Sequence, residues 1–255
     1  MFGLFARRAN AGPALPRLKI EHWNGYLYAI GDVHGCLAEL RQLEQAIAAD
    51  CARHGERAMV ACVGDYVDRG PHSAGVIDYL LADHDLPFER ICLTGNHEQM
   101  LLDFIAAPRP DDSWLGHGGE ETLRSYGLSP DSLFEGGRKQ AQLRLASYIP
   151  SDHLDFLRSL SLSLELPGIA VVHAGLRPGL AMDRQTAQDM LWMRPAENAY
   201  QAEQPFGLLI HGHTPAIEPV IETHRICIDT AAFATGKLTA VRIAPDGSKT
   251  FLSTR

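Results

Sequence analysis

The chain has 255 residues, of which 45% are hydrophobic and 21% charged, and it carries a formal net charge of −8. That is enough apolar material for a large core in one domain, and the acidic balance argues against non-specific binding to nucleic acid or a membrane surface, which relies on basic patches. No apolar run approaches the ~20 residues that span a bilayer, and residues 1–8 place their charges after a short apolar patch, unlike a secretory signal. A cytoplasmic location is therefore expected.

Residues 1–20, with Pro13 and Pro16 and little periodicity, read as a flexible arm ahead of a single domain over 21–255. The first strand is expected at 26–30. Leu37, Leu40, Leu43 and Ile47 then recur at helical spacing until His54-Gly55 ends the pattern. A strand at 59–63, a helix at 73–82, a strand at 91–93 and a helix from His97 to about Ile105 follow. This β-α-β-α-β order favours parallel strands joined by right-handed crossovers.

From Pro108 to about Leu160, Gly and Pro pairs separate short helical stretches with no strand, which reads as a helical insertion. Strands are expected again at 163–166, 169–172, 208–210, 225–228 and 238–243, with a helix at 186–193. Two sheets packed face to face, with helices outside, would bury them. Cys36, Cys51, Cys62, Cys92 and Cys227 are scattered, odd in number and without a C-x-x-C pair, so they read as reduced core residues.

Five apolar strand segments each run into a short segment rich in metal-ligand residue types: Gly31-Asp32-Val33-His34-Gly35, Gly64-Asp65-Tyr66-Val67-Asp68-Arg69-Gly70, Gly95-Asn96-His97-Glu98, Val172-His173-Ala174-Gly175 and His211-Gly212-His213-Thr214. Loops after strand ends gather ligands along one edge of a sheet. Asp32 and His34, two apart on an extended strand end, point to one side and can share an ion. Asp65 could bridge to a second ion completed by Asn96, His173 and His213. Carboxylate, imidazole and amide ligands without thiolate suit Mn²⁺, Fe or Zn²⁺ rather than a structural zinc site. Two such ions, roughly 3.5–4 Å apart, would acidify a shared water and keep a net positive charge that favours a phosphoryl group. Each motif alone is weak. Their order is not, because Asp32, Asp65 and Asn96 are spaced by roughly 30 residues, the length of one βαβ unit. The histidines outside the pattern, His117 among them, read as solvated or structural.

Gly-Asp-x-His-Gly, Gly-Asp-x-x-Asp-Arg-Gly and Gly-Asn-His-Glu, in that order, resemble the signature of the PPP-type phosphoprotein phosphatases within the calcineurin-like metallophosphoesterase superfamily, and His173 with Gly212-His213-Thr214 resembles its phage and bacterial members. The resemblance spans about residues 26–235. It implies a four-layer α/β/β/α fold with two central mixed sheets and a centre of two divalent ions, usually Mn²⁺ in bacterial members.

Carried over residue by residue, the family pattern makes Asp32, His34 and Asp65 ligands of the first metal, and Asp65, Asn96, His173 and His213 ligands of the second. His97 matches the general acid and Asp68 the carboxylate that orients it. Arg69 matches a phosphate clamp, and Arg194 in Leu191-Trp192-Met193-Arg194 resembles a second. His211 aligns with no ligand. Thr94 stands where many relatives carry an arginine, so one phosphate contact is missing or supplied elsewhere.

The function implied is direct hydrolysis of phosphate monoesters by a metal-bridging hydroxide, foremost as a serine/threonine protein phosphatase acting on a phosphorylated protein. The alternative is a hydrolase of dinucleoside polyphosphates or nucleotide-capped RNA ends. A binding module with a relic metal site is disfavoured, since ligands, acid and clamp arginine are all retained. The insertion, bounded by Asn96 and His173, is expected to form a lid that sets substrate choice, with Trp114, His117, Arg124, Tyr126 and Arg138 as the side chains able to reach a substrate.

Overall fold

The computed structural model describes residues 15–254. In chain order the first half contains β1 (Arg17–Lys19), β2 (Tyr26–Ile30), α1 (Leu37–His54), β3 (Ala58–Cys62), α2 (Ser73–Leu81), β4 (Glu89–Cys92) and α3 (Asn96–Ala106). The insertion follows as a distorted turn, Leu115–Gly119, and α4 (Glu120–Ser125), α5 (Arg138–Tyr148) and α6 (Ser151–Ser159). The remainder holds β5 (Ser163–Leu166), β6 (Ile169–Val172), α7 (Ala187–Trp192), β7 (Leu208–His211), β8 (Val220–Ile221), β9 (Arg225–Cys227), α8 (Ala232–Thr235), β10 (Thr239–Ile243) and β11 (Lys249–Ser253).

These strands form two mixed sheets, ordered β11-β10-β2-β3-β4 and β1-β5-β6-β7-β9-β8. In the first, β2, β3 and β4 run parallel; in the second, β6, β7 and β9 do. Strand alternation decides which side chains meet. Leu27, Ala29, Met59, Ala61 and Val241 face Leu164, Val171, Ile210 and Ile226 between the sheets. Their neighbours Tyr28, Ile30, Val60 and Cys62 point outward against Leu40, Leu43 and Ile47 of α1 and Val76 and Ile77 of α2. On the far side Ala170, Val172 and Leu209 pack against Met190 and Leu191 of α7 and against Tyr200 and Phe206. Helices on both outer faces give the α/β/β/α layering expected.

Residues 1–14 of the expected arm lie outside the described residues. The rest is a correction: Arg17–Lys19 is an edge strand paired parallel with β5, and the Arg17 guanidinium donates to the carbonyls of Met182 and Gln185 at 2.9 and 2.8 Å. Three residues are too few to show a period, and their pairing partner lies far along the chain. All five cysteines are free thiols in or beside the core. Among the described residues no helix is long and apolar enough to cross a membrane.

Candidate active site

Because β2, β3, β4, β6, β7 and β9 send their C-terminal ends to one rim, the five motif segments converge there. The backbone at that rim is strained. His34, Asp65, Asp68, Arg69 and His213 have φ of 44°, 51°, 73°, 67° and 63°, each costing about 1–3 kcal/mol in a non-glycine residue. Glycines allow the close approach: a β-carbon at Gly212 would overlap Asp32 Oδ1, and one at Gly95 would overlap Asp65 Oδ1.

Much of the strain is held by Glu98. Its buried carboxylate accepts the backbone N–H groups of Asp65 and Gly95, both at 2.8 Å, of Tyr66 at 2.7 Å and of Val67 at 3.3 Å. Glu98→Ala would leave these donors unsatisfied at roughly 1–3 kcal/mol each. We expect a loss of about 3 kcal/mol or more in denaturant unfolding of the metal-free protein; a loss below about 1 kcal/mol would contradict this anchoring.

The ligand-type atoms meet in two overlapping groups, His34, Asp65 and His97, and Asp65, His173 and His213. His34 Nδ1 donates to the Val67 carbonyl at 2.8 Å, so its Nε2 presents a lone pair, 3.5 Å from Asp65 Oδ2. That nitrogen is buried and unpartnered. His173 Nδ1 likewise donates to Val63 O at 3.1 Å. Its Nε2 lone pair then faces Asn96 Oδ1 at 2.8 Å and Asp65 Oδ1 at 3.4 Å, while His213 Nδ1 stands 2.9 Å from the same Asn96 oxygen. Asp32 lies alongside and accepts the His213 backbone N–H at 3.0 Å.

Such a cluster of acceptors, with few protons among them, fits divalent cations by its donor chemistry. Burial pushes the Asp32 carboxyl well above its usual range, with Asp229 and Asp65 adding, and raises Asp65 to about 8. Burial also depresses His34 and His173 well below the ordinary imidazole value and brings His213 to about 4. A cation among them would reverse the carboxyl shifts and could be bound by the neutral imidazoles as they stand.

Beside this cluster His97 Nδ1 lies 2.6 Å from Asp68 Oδ2, and His97 Nε2 is 3.1 Å from Arg69 Nη2. Asp68 is fully buried, which raises its carboxyl to about 7, against hydrogen bonds from Thr122 and Trp114 that lower it. Arg69, Asn96, His97, Trp192, Arg194 and His213 line a cavity of about 300 Å³. A neighbouring cavity of about 670 Å³, walled by Leu115, Gly116 and Phe233, shares Arg69 and His117 with it. Thr94 is buried and pairs with Gln99; it does not reach the cavity, where Arg69 and Arg194 are the guanidinium groups.

Several side chains at the rim were not singled out from the sequence. Asp229, just after β9, is buried beside Asp32, with Oδ2 unpartnered. Its signal was the same as the others, an aspartate after an apolar strand, here Ile226-Cys227-Ile228-Asp229. Phe233 is 39% exposed, edge-on to His34 at 5.4 Å and under the Arg69 guanidinium at 4.8 Å. His211 is buried and turns Nδ1 to the Gly212 carbonyl, away from the ligand groups. Within the insertion, only His117 of the five side chains expected to meet a substrate lines the cleft. Trp114 is buried, Tyr126 bonds His153 at 2.9 Å, Arg124 pairs with Glu120 and Glu121, and Arg138 begins α5 away from the cleft.

A fold and rim of this kind define a metallophosphoesterase. Residues 26–216 match the family model for calcineurin-like phosphoesterase, and the chain belongs to that family. Among curated relatives, bis(5'-nucleosyl)-tetraphosphatase PrpE (asymmetrical) of Bacillus thuringiensis strain Al Hakam is 28% identical over 232 residues, covering 84% of this chain and 88% of the relative. The protein of the same name from Bacillus anthracis strain A0248 is 27% identical over 234 residues, with the same coverage of 84% and 88%. A solved structure provisionally named a diadenosine tetraphosphatase superposes with a TM-score of 0.62 at 23% identity, covering 95% of this chain and 99% of that one. A Saccharomyces cerevisiae protein serine/threonine phosphatase with similarity to human PP5 gives 0.58 at 15% identity, covering 94% and 84%. At these identities the two structures show the fold alone.

Proposed function

We propose that this metallophosphoesterase hydrolyses dinucleoside polyphosphates, the alternative raised by the motifs. The observation that carries the choice is a pair of half-exposed aromatic rings on the ligand cluster: Phe233 against His34 and Arg69, and Trp192, 41% exposed, edge-on to His213 at 6.4 Å. Rings left open to solvent beside an anion site suit a substrate whose bases stack while its phosphates bind. The relatives named as tetraphosphatases support the same reading.

In this reading Asp32, His34 and Asp65 would hold one ion, and Asp65, Asn96, His173 and His213 the other. Divalent ions held there, Mn²⁺ foremost, would supply positive charge and lower the pKa of water so that hydroxide is available at neutral pH. Arg69 and Arg194 bind the non-bridging oxygens and orient the reacting phosphoryl group. His97, held through Nδ1 by Asp68, would act as the acid in its doubly protonated form, giving its Nε2 proton to the departing oxygen and keeping the Nδ1–H on Asp68. The protein phosphatase reading is kept as second, because the three motifs are those of that branch and the cavity is open at the surface.

A panel run with Mn²⁺ tests the choice. Diadenosine tetraphosphate is expected to exceed a phosphoserine peptide in kcat/KM by at least ~10-fold. Trp192→Ala and Phe233→Ala should each raise the KM for the dinucleotide, relative to that for p-nitrophenyl phosphate, by about 5- to 100-fold, the value of one stacked base. A phosphopeptide preference, with both variants affecting the two substrates alike, would overturn the nucleotide reading in favour of the second.

A further inference from the structure

Asp68 is gripped by residues far from it in the chain. Trp114 Nε1 donates to Asp68 Oδ2 at 2.7 Å, and the Thr122 hydroxyl donates to Oδ1 at 2.6 Å. The same Thr122 oxygen accepts the Asp68 backbone N–H at 2.8 Å, with Ser73 Oγ 3.0 Å from that nitrogen. Trp114 is 1% and Thr122 0% exposed, so water does not compete for these bonds.

The indole fixes the direction of the next hydrogen bond. Tryptophan can only donate, and with Trp114 donating to Oδ2 and Thr122 to Oδ1 the ionised carboxylate is favoured; to it His97 Nδ1, 2.6 Å from Oδ2, can only donate. In the neutral ring this fixes the hydrogen on Nδ1 and leaves the Nε2 lone pair at the cavity, accepting from Arg69 Nη2 at 3.1 Å; the proton to be delivered is a second one, held at Nε2 when the ring is charged and Arg69 has turned to the phosphoryl oxygens. The insertion also braces the strained pair Asp68-Arg69. The Arg69 N–H donates to the Gly118 carbonyl at 3.2 Å, and Gly118, at φ 103°, lies so close that a β-carbon there would come within 2.5 Å of Arg69 N. Trp114 is locked in turn by Phe104, with ring centroids 4.6 Å apart.

We propose that Trp114 and Thr122 are positioning residues for proton delivery: the insertion fixes the Asp68 carboxylate and, through it, the tautomer and orientation of His97. This rests on the acid role given to His97 above, and not on which phosphate ester is the natural substrate. It gives the insertion a part in the chemistry distinct from that of a lid.

The test compares turnover of p-nitrophenyl phosphate, whose leaving group barely needs a proton, with that of an alkyl phosphate. Trp114→Phe and Thr122→Val should each lower the alkyl-to-nitrophenyl ratio of kcat by at least ~10-fold with KM unchanged, since a misplaced acid forfeits part of its ~10²–10⁴-fold contribution. In a His97→Ala background neither change should move the ratio further. Proton NMR of the metal-free protein gives a second readout: a downfield Nδ1–H resonance, absent in His97→Ala, should shift upfield in both variants. Should Trp114→Phe lower the thermal midpoint, the near-isosteric Thr122→Val decides. An unchanged ratio in that variant, equal losses on both substrates, or a ratio that still falls without His97 would overturn the proposal. If His97→Ala itself leaves the ratio unchanged, the acid assignment fails first, and the positioning role with it.

Discussion

Asp65→Asn is expected to lower phosphoesterase activity by roughly 10³-fold or more, the several kcal/mol that metal-assisted charge stabilisation contributes to such reactions. Asp65 is the residue common to both ligand-type groups, its two oxygens 3.5 Å from His34 Nε2 and 3.4 Å from His173 Nε2. Asparagine keeps the size and removes the charge. Burial already favours the neutral form of this carboxyl, so the metal-free variant should fold as well as the parent. What it should lose is the rise in thermal midpoint on adding Mn²⁺, since a ligand that binds only the folded state stabilises it in proportion to its affinity. Near-parental turnover at saturating Mn²⁺ would contradict a shared Asp65.

His97→Ala should lower kcat for alkyl phosphates by about 10²- to 10⁴-fold and for p-nitrophenyl phosphate by much less. The ring sits where this separation can be read: Nε2 is 3.9 Å from Asp65 Oδ2 but is bonded to Arg69, while Nδ1 belongs to Asp68. Because His97 shares one ligand-type group with His34 and Asp65, the metal content of the variant must be measured alongside. Unchanged metal with a selective loss on alkyl substrates supports the acid role. Lost metal would make His97 a ligand instead, and equal losses on both substrates with metal retained would contradict the acid role.

The rim was legible in the sequence because strand, glycine and ligand recur together. Asp32, Asp65, Asn96, His173 and His213 each follow an apolar strand, and a ligand type at a strand end is a local signal. Asp229 carries the same signal in a single copy, but with no histidine or glycine beside it the signal is too weak to stand out. What holds the site was not legible. Trp114 and Thr122 meet Asp68 across 46 and 54 residues, and nothing local in a tryptophan or threonine tells a buried carboxylate partner from ordinary packing. Glu98 belongs to a motif, and its bond from the Gly95 N–H is local, yet its other three backbone donors, Asp65, Tyr66 and Val67, come from the turn after another strand. The layers follow from period and order, whereas β1, β8 and β11 leave no such pattern. β1 and β8 have three and two residues, and β11 is an edge strand in which exposed Lys249, Thr250 and Ser253 outnumber the apolar positions.

If Asp32, His34, Asp65, Asn96, His173 and His213 hold two divalent ions on which hydrolysis depends, metal content and turnover must rise together. The measurement that tests this dependence is a titration with Mn²⁺ of protein stripped with a chelator, following bound metal and p-nitrophenyl phosphate turnover together. Activity should be absent at the start and reach its plateau as two ions per chain are bound, with Asp65→Asn failing to reach that stoichiometry. Full turnover in the stripped protein, or a plateau at one ion per chain, would contradict it.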